Sequence, residues 1–138
     1  MTYGRLKSIT RVFLIGDNML PKDNNDVLAA LEVAFIEIAN QTTALKLLTP
    51  NLDSAIIRQG PGNFYVRMPA LPASDDEELD VDSELVPAVA RLIASYVSKD
   101  KSAYHVTEAN RIIRDYEGKV RAFMDEEARK LEDYANAE

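Results

Sequence analysis

Four of the six prolines and two of the five glycines fall between residues 42 and 72, in TTALKLLTPNLDSAIIRQGPGNFYVRMPALP. A proline removes an amide donor and clashes with the preceding turn, so no helix of ordinary length crosses this block. The sequence on either side has the opposite texture. Residues 26–41, 83–99 and 102 to about 134 repeat apolar side chains every three or four positions, the period of a helix. The expected fold class is therefore mostly α, with about four helices in a small bundle. A β-hairpin or extended arm (about 45–82) is inserted between the second and third helices.

A first helix is expected over residues 2–15, with Leu6, Ile9, Val12, Phe13 and Ile15 on its apolar side, although the run RVFLI reads equally as a strand. In the second, Val27, Leu28, Leu31, Phe35 and Ile38 form one stripe, widened by Ala30 and Ala34. Asn24, Asn25 and Asp26 stand where an N-cap is wanted. The third helix places Leu85, Val89, Leu92, Ile93, Tyr96 and Val97 on one face, with Pro87 tolerated in its first turn. The fourth starts near Ser102 or Ala103. Gly118 lies within it as a bend or as the point where the helix leaves the domain. Residues 1–124 are read as a single helical domain and 125–138 as a charged helical extension or tail.

Within the proline block, SAIIRQ and NFYVRM are β-rich runs separated by Gly60, Pro61 and Gly62. They read as a hairpin over 53–68, with an extended stretch over 69–82. LKLLT offers a further short strand. A segment this long between helices is often a device that adds to another chain's sheet or wraps a neighbour, and equally can be a hairpin that packs on its own helices.

The stretch SDDEELDVDSE, residues 74–84, holds seven of the 23 acidic residues, and the remaining 16 equal the 16 basic ones. The whole excess of negative charge lies there. Asp80, Asp82 and Glu84 alternate as calcium ligands do, but the loop glycine is missing and Leu79 and Val81 intrude, so no metal is expected. Asp82 or Ser83 is the expected N-cap of the third helix, with Glu84 in its first turn. The acids upstream are too distant from that helix for its dipole to explain them. They read as a solvated approach to it.

Catalytic chemistry finds little material. The chain has no cysteine, hence no thiolate nucleophile, disulfide or Cys-ligated metal. Its single histidine, His105, reads as a surface or cap-proximal residue. The GPG turn lacks both phosphate-loop patterns. Tyr65, Tyr96, Tyr104, Tyr116 and Tyr134 are not accompanied by a basic groove, and a net charge of −7 disfavours holding nucleic acid by its phosphates. Neither a signal peptide nor a membrane span is expected. No enzyme activity and no cofactor follow.

Three stretches together resemble a known family: DVLAALEVAFIEIANQTTALKLLTPN, NFYVRMPALPASDDEELDVDSELVPAVARLIASYVSKD and ANRIIRDYEGKVRAF. Their order is similar to that of the small head–tail adaptor (connector, or neck) proteins of tailed bacteriophages and prophages, over roughly residues 24–123. The resemblance implies a non-catalytic virion protein, made in the host cytoplasm and located in the neck between capsid and tail. It implies a self-assembled ring, commonly dodecameric, that binds portal protein on one side and a tail or stopper protein on the other. Double-stranded DNA passes through without specific binding. Ile56, Arg58, Phe64, Tyr65 and Arg67 are then candidate contacts of the arm, and Phe123, Arg129 and Leu131 of the C-terminal helix. Asp75, Asp76, Glu77, Glu78 and Asp80 are candidates for the channel or ring surface. The alternative is a helical protein–protein interaction or regulatory module outside any phage.

Overall fold

The computed structural model describes residues 1–41, 47–48, 56–59 and 65–136. It is mostly helical, with four α-helices: α1 (Tyr3–Phe13), α2 (Asn24–Gln41), α3 (Val86–Val97) and α4 (Ser102–Asn136). A 3-10 turn, Ser83–Leu85, leads into α3.

The third helix is the centre of the molecule. Leu85, Val86, Val89, Leu92 and Ile93 are buried, and so are Ala88, Ala90 and Ala94, which the one-face reading left out. A helix apolar nearly all round must be covered on several sides. The cover comes from α1, α2 and α4. Small alanines let these neighbours approach, and the large side chains each remove enough surface from water to contribute about 1.5–3 kcal/mol. Tyr96, expected on the buried face, is 40% exposed.

The second helix buries Val27, Leu31, Ala34, Phe35, Ile38 and Ala39 against this centre. Its start is one residue earlier than the N-cap candidates: Asp23 Oδ1 accepts from the Asn25 amide at 2.9 Å. The first helix buries Tyr3, Leu6 and Thr10, then Leu14 just beyond it, while Val12 and Ile15 are 61% and 75% exposed. The true stripe is therefore 3, 6, 10 and 14. Thr10 can belong to it because its hydroxyl donates to the Leu6 carbonyl at 2.8 Å. The Tyr3 hydroxyl donates to Asn24 Oδ1 at 2.8 Å, tying the start of α1 to the start of α2.

The first helix ends in a turn where Gly16 has φ of 78°, a conformation that glycine adopts without strain. This turn delivers Asp17 and Asn18 to the junction of α3 and α4. Asp17 Oδ1 accepts from the Lys99 amide at 2.8 Å and its Oδ2 accepts from the Ser98 hydroxyl, while Asn18 Nδ2 donates to the Val97 carbonyl at 2.9 Å. The Lys99 amide, the Ser98 hydroxyl and the Asn18 amide hold the Asp17 carboxyl down at about 2.

Three short strands are described: β1 (Leu47–Leu48), β2 (Ile56–Gln59) and β3 (Tyr65–Arg67). Their order is β1-β3-β2 with antiparallel pairings. Leu48 and Gln59 both lie opposite Tyr65, Ile56 lies opposite Arg67, and the register shifts between Ile56 and Arg58. The expected turn at Gly60, Pro61 and Gly62 lies outside the described residues.

The fourth helix has 35 residues, about 50 Å at 1.5 Å per residue. Ala109 and Ile113 are its buried apolar anchors, and Tyr116 and Val120 are half-buried. Every described side chain from Arg121 to Ala135 is exposed. Gly118 does not interrupt the helix.

Candidate functional site

The acidic stretch is a strap across two helix starts. At its far end the Asp82 carboxylate accepts from the Glu84 amide at 3.1 Å, as expected of an N-cap, and from the Tyr116 hydroxyl at 3.0 Å. Burial, and then that contact, push the Tyr116 hydroxyl up to about 12. Glu84 lies 3.6 Å from Lys119 on α4.

The upstream acids serve a different helix. The Tyr3 amide donates to the Glu77 carbonyl at 3.0 Å, and the Gly4 amide to the Asp75 carbonyl at 2.9 Å. These two donors belong to the first turn of α1, where amides have no partner inside the helix. Thr2 accepts from Arg5 at 3.2 Å and bridges in antiparallel fashion to Glu78, and the Leu79 amide donates to the Met1 carbonyl at 2.9 Å. Acidic residues 75–78 therefore lie at the positive end of α1, the location that a helix dipole favours for carboxylates.

Side-chain contacts fasten the strap further. Lys7 Nζ reaches Asp75 at 2.6 Å, with 15% of the lysine side chain exposed. The α-ammonium of Met1 pairs with Glu78, and Glu77 accepts from the Ala73 amide. Arg67 pairs with Asp80, which also accepts from the Ala70 amide at 2.9 Å. Leu79 is buried beneath the strap. Exposed as most of these acids are, they are not the purely solvated approach expected from the sequence: their partners lie on α1, β3 and the strap itself. Asp76 alone among the five proposed channel acids has no partner among the described residues.

Gly4, Thr2 and Lys7 escaped the sequence reading, and Leu79 entered it only as an interruption of the acids, not as a buried anchor. A Cβ on Gly4 would stand 3.1 Å from the Asp75 carbonyl oxygen, so the strap approaches α1 as closely as a missing side chain permits. The only trace of this in the sequence is a glycine in the first turn of a helix.

The candidate arm residues are distributed unevenly. Ile56 and Arg58 lie on β2, Tyr65 and Arg67 on β3, and Phe64 lies outside the described residues. Arg67 is committed to Asp80 and to its neighbour's carbonyl, Met68 O, at 3.2 Å. The candidates on α4 share the projecting part: Phe123 is 64% and Leu131 72% exposed, and Arg129 is exposed. A groove of about 540 Å³ lies beside this helix, lined by Gln41, Ile113, Arg114, Glu117, Gly118 and Arg121.

His105 corrects the expectation of a surface position: it is 1% exposed. Arg91 Nη1 lies 3.0 Å from His105 Nδ1. Arginine only donates, so Nδ1 accepts and the proton of the neutral ring is on Nε2. Arg91 stacks over Phe13 at 3.8 Å and faces Tyr104 at 5.4 Å, and the Phe13 and Tyr104 rings flank the imidazole. The ring is covered because α1 and α3 close over the first turns of α4. Burial first, then the Arg91 charge, lowers the affinity of His105 for a proton. The cluster joins three helices.

Among the described residues no group of three or more metal-ligating side chains occurs, and no helix is long and apolar enough to cross a membrane. Comparison with family models, curated proteins and solved structures finds no match.

Proposed function

We propose that the chain is a structural assembly protein, a head–tail adaptor that closes into a ring between portal and tail of a tailed bacteriophage and lets DNA pass. The observation that carries the reading is the end of α4. Its last four turns present Phe123 and Leu131 to solvent, and every described side chain from Arg121 to Ala135 is exposed. A helix held outside its own body, with large apolar side chains on it, fits docking in a groove of a neighbour. In this reading the projecting helix meets the portal, and the arm (residues 53–68 with the stretch 69–82) meets an adjacent subunit or the tail side.

The acidic residues enter the reading in a narrower form than their number implies. A ring of negative charge repels DNA phosphates and lets the duplex slide. Asp75, Glu77, Glu78 and Asp80 already have partners within the chain, so the channel-facing role is proposed for Asp76 first.

The test is assembly with a portal protein from the genome that encodes this chain. Light scattering of the mixture is expected to show the portal ring carrying a full ring of this protein. Phe123→Ser with Leu131→Ser is expected to abolish that species and leave the helix content of the free chain intact. Failure of the unsubstituted chain to join portal rings sinks the reading. It would favour the alternative, an interaction or regulatory module, with which the internal pairing of the acids agrees equally well.

A further inference from the structure

The strap between β3 and the 3-10 turn is held differently from the rest of the molecule. Of residues 73–80 only Leu79 is buried. The remaining attachments are ionic or main-chain: the Met1 ammonium to Glu78, Lys7 to Asp75, Arg67 to Asp80, and three amides (Tyr3, Gly4 and Leu79) to carbonyls across the contact. The body beneath is held by apolar burial along α3, which ionic strength hardly alters.

Charge acts on this strap in one direction. Asp75, Asp76, Glu77 and Glu78 repel one another, but they are sequence neighbours and do so whether the strap is closed or open. That repulsion largely cancels between the two states. Attraction to the Met1 ammonium, to Lys7, to Arg67 and to the positive end of α1 exists only when the strap is closed. Added salt therefore removes attractions of the closed state and little else: the screening length falls from about 30 Å at 0.01 M to about 3 Å at 1 M.

We infer that residues 73–80 are an electrostatic latch, a segment whose closure over α1 is set by ionic strength while the helical body is indifferent to it. The Met1 ammonium, Lys7 and Arg67 are its three catches. Lys7 and Arg67 stand on different elements, and Arg67 is the last residue of β3, so the latch also fixes where the strand segment joins the helices. Gly4 is the seat: its hydrogen atom leaves the space in which the Asp75 carbonyl sits. The latch is a property of the free chain and holds whether or not the chain is an adaptor.

Amide hydrogen exchange on the full chain tests it. The Tyr3, Gly4 and Leu79 amides are expected to exchange about five to ten times faster in 1 M than in 0.01 M sodium chloride, the size expected from weakening three ion pairs worth a few tenths of a kcal/mol each. Ile93 and Ala94 in α3 are expected not to respond. In the double variant Lys7→Gln, Arg67→Gln the three amides are expected to exchange faster already at low salt, with a smaller salt response that comes from the remaining Met1–Glu78 pair. Equal exchange at the two salt concentrations overturns the latch. So does a response shared by α3, or one as large in the double variant as in the parent.

Discussion

His105 is buried at the start of α4 with Arg91 donating to its Nδ1, and that arrangement has a pH dependence with a definite sign. Protonation would turn the accepting nitrogen into a donor facing another donor, and would bury a second positive charge beside Arg91. In the unfolded chain the ring takes a proton near pH 6.5. In the folded chain it does so only at lower pH. Between those two values the unfolded chain binds more protons, so stability falls as the pH drops below about 6.5 and is fully present above it. Asp17 opposes the shift and Lys101 adds to it, both from the junction that α1 closes. Denaturant unfolding of the parent and of His105→Asn between pH 5 and 8 checks this. The parent's stability relative to the variant is expected to be level above pH 7 and to decline below 6.5. A difference that is flat with pH would show that the ring is not held neutral by folding. Nothing in the sequence marked this residue, because its burial comes from Phe13 and Arg91, which stand on other helices and far from it in the chain.

At the level of elements, the helices were legible because proline, glycine and apolar spacing act locally. Asp82 and Pro87 announced the start of α3, and the spacing of Leu31, Phe35 and Ile38 announced the buried side of α2. The stripe of α1 was misread because Val12 and Ile15 are apolar yet face water, while Thr10 is polar yet buried with its hydroxyl satisfied by Leu6. The acidic strap was half legible for a related reason. A carboxylate beside its own helix leaves a sequence signal. A carbonyl that caps a helix some seventy residues earlier leaves none, since every residue carries a carbonyl. Two glycines separate these cases by experiment. Gly118 lies in the interior of α4, and a Cβ there would meet nothing within 4 Å. Gly118→Ala is expected to stabilise by up to about 1 kcal/mol, raising the melting temperature by about 3 °C. Gly4→Ala meets Asp75 at 3.1 Å, so the same gain in helix propensity is offset by displacement of the strap. No increase is expected there, and calorimetry of the two variants decides it. A gain at Gly4 as large as at Gly118 would show that the strap yields without cost.

For the molecule as a whole, the question is which part of α4 belongs to the folding unit. Its contribution to the core runs through Ala109 and Ile113 and tapers off by way of half-buried Tyr116 and Val120. From Arg121 onward the helix is supported by its own hydrogen bonds and by exposed pairs such as Lys130 with Glu126 and Glu127, at 3.7 and 3.4 Å. Pairs of this kind are worth a few tenths of a kcal/mol, and a helix of about fifteen residues without tertiary packing is marginal in water. The extension is therefore carried by the body that nucleates it and gives little back. Removing residues 122–138 is expected to lower the helical circular dichroism signal roughly in proportion to the residues lost, while the melting temperature of the remaining chain changes by no more than about 2 °C. In the intact free chain, trypsin is expected to cut first after Arg121, Arg129 and Lys130, because an unpacked helix opens locally long before the body does. A fall of the melting temperature by about 5 °C or more on truncation, or resistance at those three sites, would mean that the extension packs on its own chain and is not held out for another.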